Sequence, residues 1–261
     1  MKEKKMYKYL IILSLITISF TNNNAFADDH SNQGPGAVEM LACSYNEGKS
    51  LSDLNTVVKN WNKWADRKGQ TYSAWTLSPF AVNNEFPEID YIWFGLAPDF
   101  EEWGSSLEQW VQEGENSHGV KFAEVSSCSP RALYAVIPVR QVNWNQKEIK
   151  NNPFQLSNCK FKEGKTMSDL MKAASEFNKY IDQIDADPLI AVFIPDAGNE
   201  LNPIWDIKVG AGWSNFIEMG KARSSGYKTG NSNLQDTWGS VVDCDSPRVY
   251  TSNQVRLGVN Q

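Results

Sequence analysis

The chain is written twice. Cys43-Ser-Tyr-Asn-Glu-Gly-Lys-Ser-Leu-Ser-Asp-Leu54 aligns without a gap on Cys159-Lys-Phe-Lys-Glu-Gly-Lys-Thr-Met-Ser-Asp-Leu170, a step of 116 residues. The same step separates Pro79 from Pro195 and Cys128 from Cys244, and it carries Trp61-Asn-Lys-Trp64 onto Phe177-Asn-Lys-Tyr180. Across a short deletion Trp93 aligns with Trp205, and across one insertion Arg131 aligns with Arg248. A unit of this length is domain-sized and far too long for a solenoid repeat. The fold must therefore be one that two like halves can build. The halves are expected over residues 38–142 and 154–261, joined by the polar stretch 143–153.

Each half reads as strand, helix, strand, strand, helix, strand. Val38 to Cys43 is an apolar strand, and the following helix stripes Leu51, Leu54, Val58, Trp61 and Ala65 along one face. Its copy stripes Met167, Leu170, Ala174, Phe177 and Ile181. Tyr72–Phe80 and Asp90–Ala97 follow as strands, matched by Leu189–Pro195 and Ile204–Gly210. A second helix begins at Phe100, with a shorter copy near Trp213–Ala222, and Ala132–Val139 and Val249–Leu257 close the halves. This order is the ferredoxin-like βαββαβ pattern of an α+β fold. In it the first and last strands are antiparallel neighbours, which brings Cys43 to Cys128 and Cys159 to Cys244. The rival arrangement pairs the cysteines across the halves.

Helices on one face of each sheet leave the other face to be buried. Two such sheets packed together enclose a barrel-like core. In this the chain resembles the dimeric α+β barrel superfamily, with a fused tandem repeat in place of the homodimer. The resemblance rests on element order along nearly the whole chain. It implies a range of small-molecule chemistry: cofactor-independent monooxygenases, haem-handling enzymes, stress-responsive barrel proteins and ligand-binding regulators. No residue matches a catalytic set of any of these, and fold alone does not choose among them.

Gly48-Lys-Ser50 and Gly164-Lys-Thr166 invite a phosphate-loop reading, but spacing removes it. A P-loop needs a glycine five residues earlier, where this chain has Cys43 and Cys159. The glycines instead suit a positive-φ turn, with Ser50 and Thr166 capping the next helix and Asp53 and Asp169 in its first turn.

Residues 1–27 read as a secretory signal: four Lys, an apolar stretch from Tyr9 to Phe20, then Ala25-Phe-Ala27 as a cleavage site. Residues 28–37 are expected to be a flexible leader to the first half. Without the signal, which holds four Lys and one Glu, net charge moves from −6 to −9. An acidic chain is a poor partner for nucleic acid or anionic lipid. No later segment is long and apolar enough to span a membrane. The expected location is the periplasm or the exterior, where disulfides persist.

Metal and haem chemistry find little support, because the only histidines are His30 and His118; no cofactor and no metal are expected. The polar candidates are those present in both halves: Asn62 and Asn178, Asp66 and Asp182, Arg131 and Arg248. Each also has a purely structural reading as an ion pair or cap. Of the ten Trp, seven fall between Trp61 and Trp144. Trp75, Trp93 and Trp205 join the candidate set as the lining of a cavity between the sheets, suited to a small apolar or aromatic ligand. Trp61, Trp64 and Trp75 become Phe177, Tyr180 and Ala191 in the second half, so binding is expected to concentrate in the first. The expected function is ligand binding or an accessory role. The alternatives are a cofactor-independent monooxygenase-like enzyme with its site between a sheet and its helices, and an interaction protein docking through exposed aromatics.

Overall fold

Nine strands and their helices follow the twofold script of the sequence. The computed structural model describes residues 35–82, 89–142, 151–184, 186–199 and 203–259. The expected signal segment, most of the leader and residues 143–150 of the join lie outside the described residues. In the first half the strands are β1 (Gly36–Tyr45), β2 (Ser73–Ala81), β3 (Tyr91–Ala97) and β4 (Ser126–Arg140). The second half contributes β5 (Asn152–Phe161), β6 (Leu189–Ala197), β7 (Ile207–Gly212), β8 (Val242–Cys244) and β9 (Arg248–Arg256).

Hydrogen-bonded order runs β7-β6-β4-β1-β3-β2-β9-β5, and β5 returns to β7, so eight antiparallel strands close a barrel. The expected barrel is present, and it closes as one continuous ring of strands where two sheets packed face to face were expected. An isolated sheet would leave the outer edges of β2 and β4 unpaired, whereas closure satisfies those backbone groups. It does so through β2–β9 and β4–β6, with Pro79 opposite Tyr250 and Tyr134 opposite Pro195. Both joints obey the 116-residue step. Residues Gly34–Gln261 consequently form one compact unit, each half supplying half the staves.

The barrel is filled. Alternate residues point inward, and Val38, Met40, Leu77, Tyr134, Val136, Phe154, Leu156, Phe193 and Tyr250 pack there with Trp75 and Phe94. The expected cavity between the sheets is therefore occupied by side chains.

Outside the barrel, α1 (Leu51–Arg67) and α4 (Met167–Gln183) begin at matching turns. Gly48 and Gly164 both have φ +71°, and the Ser50 and Thr166 backbone N–H groups donate to Asp53 and Asp169 at 3.0 Å. The turn-and-cap reading of these motifs holds. The disulfides are Cys43–Cys128 and Cys159–Cys244, each closing 85 residues. Over the first half α2 (Phe100–Gln109), a π-helical segment (Trp110–Gly119) and α3 (Val120–Val125) run as one continuous helical cover. The second half is covered by α5 (Phe216–Lys228), α6 (Ser232–Asp236) and a 3₁₀ turn, Trp238–Ser240.

Register corrects two alignments. Trp93 stands opposite Leu41, and the residue opposite Ser157, 116 positions after Leu41, is Val209. Trp93 thus corresponds to Val209, and Trp205 lies in the loop before β7. Arg248 stands opposite Leu156 as Ala132 stands opposite Met40, so its counterpart is Ala132 and not Arg131.

Candidate functional site

The outer face of the first half's sheet and its helical cover enclose a cavity of about 300 Å³. Leu41, Tyr91 and Trp93 rise from the strands, Trp61 from α1, and Trp103, Leu107, Trp110 and Phe122 descend from the cover. The rings meet edge to face: Trp61 and Trp93 lie 5.6 Å apart, and Trp93 and Phe122 5.7 Å. Edge-to-face geometry is the favoured packing of aromatic quadrupoles, so these rings hold one another in place.

One wall of this apolar space is polar. Trp93 Nε1–H donates to the Tyr72 hydroxyl at 2.9 Å, and Tyr72 donates to Glu39 Oε1 at 2.6 Å. Arg131 Nε lies 3.6 Å from Glu39 Oε2. Glu39 is only 9% exposed, an uncommon place for a carboxylate unless it is partnered. Burial, reinforced by the Glu39 charge, pushes the Tyr72 hydroxyl well above the usual phenol range. Tyr72 therefore stays protonated and its proton points at the carboxylate. Tyr72 can lie over β3 only because residue 95 is glycine; a Cβ there would sit 1.7 Å from the Tyr72 hydroxyl oxygen.

In the second half the corresponding space is lined differently, and a more polar pocket of about 500 Å³ lies between α4 and residues 236–241. Counting 116 positions on, Glu39, Tyr72, Trp93 and Arg131 become Gln155, Pro188, Val209 and Pro247, and Gly95 becomes Ala211. Trp213, Trp238 and Val241 pack there against Leu170, Val192 and Ile207. Gln155 accepts a hydrogen bond from Arg223, the counterpart of Leu107.

Of the sequence candidates, the fold brings Trp93 and Arg131 to the cavity. Trp75 points into the barrel core, and Trp205 is buried there with the Lys208 ammonium 4.0 Å above its ring. The repeated Asn and Asp residues form a symmetric clasp between halves. Asn62 donates to the Val255 carbonyl at 2.8 Å and Asn178 to that of Val139 at 2.6 Å. Asp66 pairs with Arg256 and Asp182 with Arg140, both at 2.7 Å. Arg248 pairs with Asp245. Each helix is thus tied to the closing strand of the other half, which is the structural role those residues allow. Sequence reasoning missed Glu39 and Tyr72, because neither has a like residue in the second half; the missing match was itself the available signal.

Among the described residues no three His, Cys, Asp or Glu side chains gather as a metal site. No described Trp is exposed, although the aromatic side chains of Phe80 and Tyr227 are, at 63% and 73%. No described helix is long and apolar enough to cross a membrane.

The closed eight-strand barrel with helices outside it decides the fold. Its fold is of the dimeric α+β barrel type. No protein-family model matches the chain, and no curated protein is similar to it in sequence. Among solved structures, a candidate monooxygenase from Lactobacillus acidophilus superposes with a TM-score of 0.53 at 8% identity, covering 86% of this chain and 96% of that one. A candidate monooxygenase from Fusobacterium nucleatum gives 0.51 at 7% identity, covering 86% and 94%. A candidate chlorite dismutase gives 0.50 at 9% identity, covering 86% and 96%. At such identities the likeness concerns the fold alone. Haem, one of the chemistries the sequence resemblance implies, does not suit the cavity found here. No His lines it, Cys128 is held in a disulfide, and the Tyr72 proton is committed to Glu39.

Proposed function

We propose that the protein is an exported small-molecule binding protein built from two ferredoxin-like repeats. Its ligand site is the first-half cavity, and the second half completes the barrel. The observation that carries this reading is the aromatic cavity with a buried polar wall in the first half, whose lining residues the second half does not repeat. Selection for folding alone acts on both halves alike, whereas a binding site needs only one. Cavities of this kind, mostly apolar with a few placed polar groups, are the usual form of ligand sites, and about 300 Å³ is the small end of their range. Of the candidates, Trp93 supplies ring surface and Arg131 holds the polar wall. Export is supported by the signal-like residues 1–27 and by two disulfides.

Naphthalene is a suitable first probe, being planar, apolar and small. Titration followed by tryptophan fluorescence is expected to give one site per chain. Leu107→Trp, which fills the cavity, should weaken binding at least about tenfold, while Arg223→Trp at the matching place in the second half should leave it unchanged. Equal loss in both variants, or no binding at all, overturns the reading. A second reading, a cofactor-independent oxygenase, is favoured by one feature: a carboxylate and a phenol in a water-poor aromatic space. Oxygen consumption with an electron-rich aromatic, abolished in Glu39→Gln, is its test.

A further inference from the structure

Two buried polar atoms, on residues that line the cavity, lack a hydrogen-bond partner among the described residues. Glu39 Oε2 is one and Trp61 Nε1 the other; their residues are 9% and 5% exposed. Buried polar groups are nearly always partnered, so each such pair of orphans calls for an explanation. Oε2 is an acceptor and Nε1 a donor. A ligand that reaches Glu39 Oε2 in this aromatic space carries a donor on a flat apolar body.

Charge narrows the class further. Glu39 Oε1 already takes the Tyr72 proton, and Arg131 stands 3.6 Å from Oε2 with half its side chain exposed. The carboxylate and guanidinium balance each other. An anionic ligand would meet Glu39 in an apolar surrounding, and an ammonium would add an uncompensated charge beside Arg131. A neutral O–H or N–H donor costs neither. Resting on the cavity reading above, we infer that the site selects neutral planar aromatics bearing such a donor, with Glu39 Oε2 as the acceptor.

The test uses one skeleton with the full oxidised protein at pH 7: naphthalene, 2-naphthol, 2-methoxynaphthalene, 2-naphthoate and protonated 2-naphthylmethylamine, titrated by calorimetry. A hydrogen bond to a charged acceptor predicts 2-naphthol binding about tenfold or more tighter than naphthalene or the methoxy compound. The naphthoate and the ammonium should bind more weakly than the naphthol. In Glu39→Gln the amide carbonyl still receives Tyr72 while its NH₂ replaces Oε2, so the naphthol-to-methoxy preference should fall to about one or below. Equal affinity of naphthalene and 2-naphthol leaves the cavity reading standing and overturns this one. So does a preference unchanged in Glu39→Gln, or tightest binding by an ionic member. Failure of every member to bind overturns both readings. If Glu39→Gln does not fold, the wild-type series alone decides.

Discussion

The two halves share a backbone and divide the labour of their side chains. At the turns, caps, disulfides and clasps they agree residue for residue: Ser50 with Thr166, Asp53 with Asp169, Asn62 with Asn178, Asp66 with Asp182. Between sheet and helices they disagree at almost every position, and the polar wall Glu39–Tyr72–Trp93–Arg131 survives in neither residue type nor charge as Gln155, Pro188, Val209 and Pro247. The lesson is that constraint from folding is symmetric in this molecule. Departures from symmetry mark where another demand has acted.

The clasps offer the largest test, because they are symmetric in kind but unequal in burial. The Arg256 side chain is 1% exposed and donates to the Tyr72, Gln70 and Asn62 carbonyls as well as to Asp66. Arg140 is 16% exposed and meets Asp182, Asp187 and the Ala186 carbonyl. Removing a buried cation strands its acceptors. Arg256→Ala should cost about 3 kcal/mol in urea unfolding, and Arg140→Ala about 1 kcal/mol. Equal costs would mean that the burial difference does not matter.

Next comes the glycine under Tyr72. Gly95→Ala places a methyl against the Tyr72 oxygen and should cost about 2 kcal/mol through displacement of that ring. The reverse change in the second half, Ala211→Gly, should cost only about 1 kcal/mol, the ordinary price of glycine in a strand. It should not disturb any binding measured in the first half.

The opening turns provide a matched control. Gly48 and Gly164 share φ +71° and neither would place a Cβ within 4 Å of another atom, so only backbone strain is at stake. Valine at either should cost about 1–2 kcal/mol, and the same amount at both. A clear inequality would break the symmetry claim where it ought to be strongest.

Alkaline pH gives a smaller effect, weighted toward the first half although burial also raises Tyr250 to about 12 in the second. Burial raises the Tyr72 and Tyr91 hydroxyls in the first half, whereas their counterparts are Pro188 and Ile207. A phenol whose folded pKa exceeds its unfolded value stabilises the fold fully below that unfolded value, about 10, and the contribution is lost as pH rises beyond it. Stability should therefore fall above about pH 10, and Tyr72→Phe should flatten the fall. An unchanged slope in that variant would remove Tyr72 from the account.

Much of this was legible in the sequence, and for a physical reason. Turn glycines, caps and helical stripes are local, so the repeated motif at Cys43 and Cys159 fixed strand, turn and helix in both halves, and with the element order it fixed the disulfides. Barrel closure was less legible, since pairing β2 with β9 depends on edges that lie far apart in the chain. Direction along a strand was the main loss. Trp75 and Trp93 were both expected to face one cavity, yet one points into the barrel and the other out toward the helices, because the register that separates them is set across strands. Matching by letter misled at Trp205 and Arg248, where like residues occupy unlike places. Glu39 and Tyr72 were not legible from the repeat, because the repeat marks what the halves share and these residues have no like partner in the second half.

A ligand is expected to enter one half only, outside the barrel. A crystal structure of the protein grown with 6-bromo-2-naphthol tests it directly, since the bromine's anomalous signal locates the ligand independently of any model of its shape. The prediction is one peak per chain, between the strands carrying Leu41 and Trp93 and the helical cover carrying Leu107 and Phe122, with the hydroxyl toward Glu39. A peak inside the barrel, a peak beneath Trp238 in the second half, or two equal peaks related by the pseudo-twofold would contradict it.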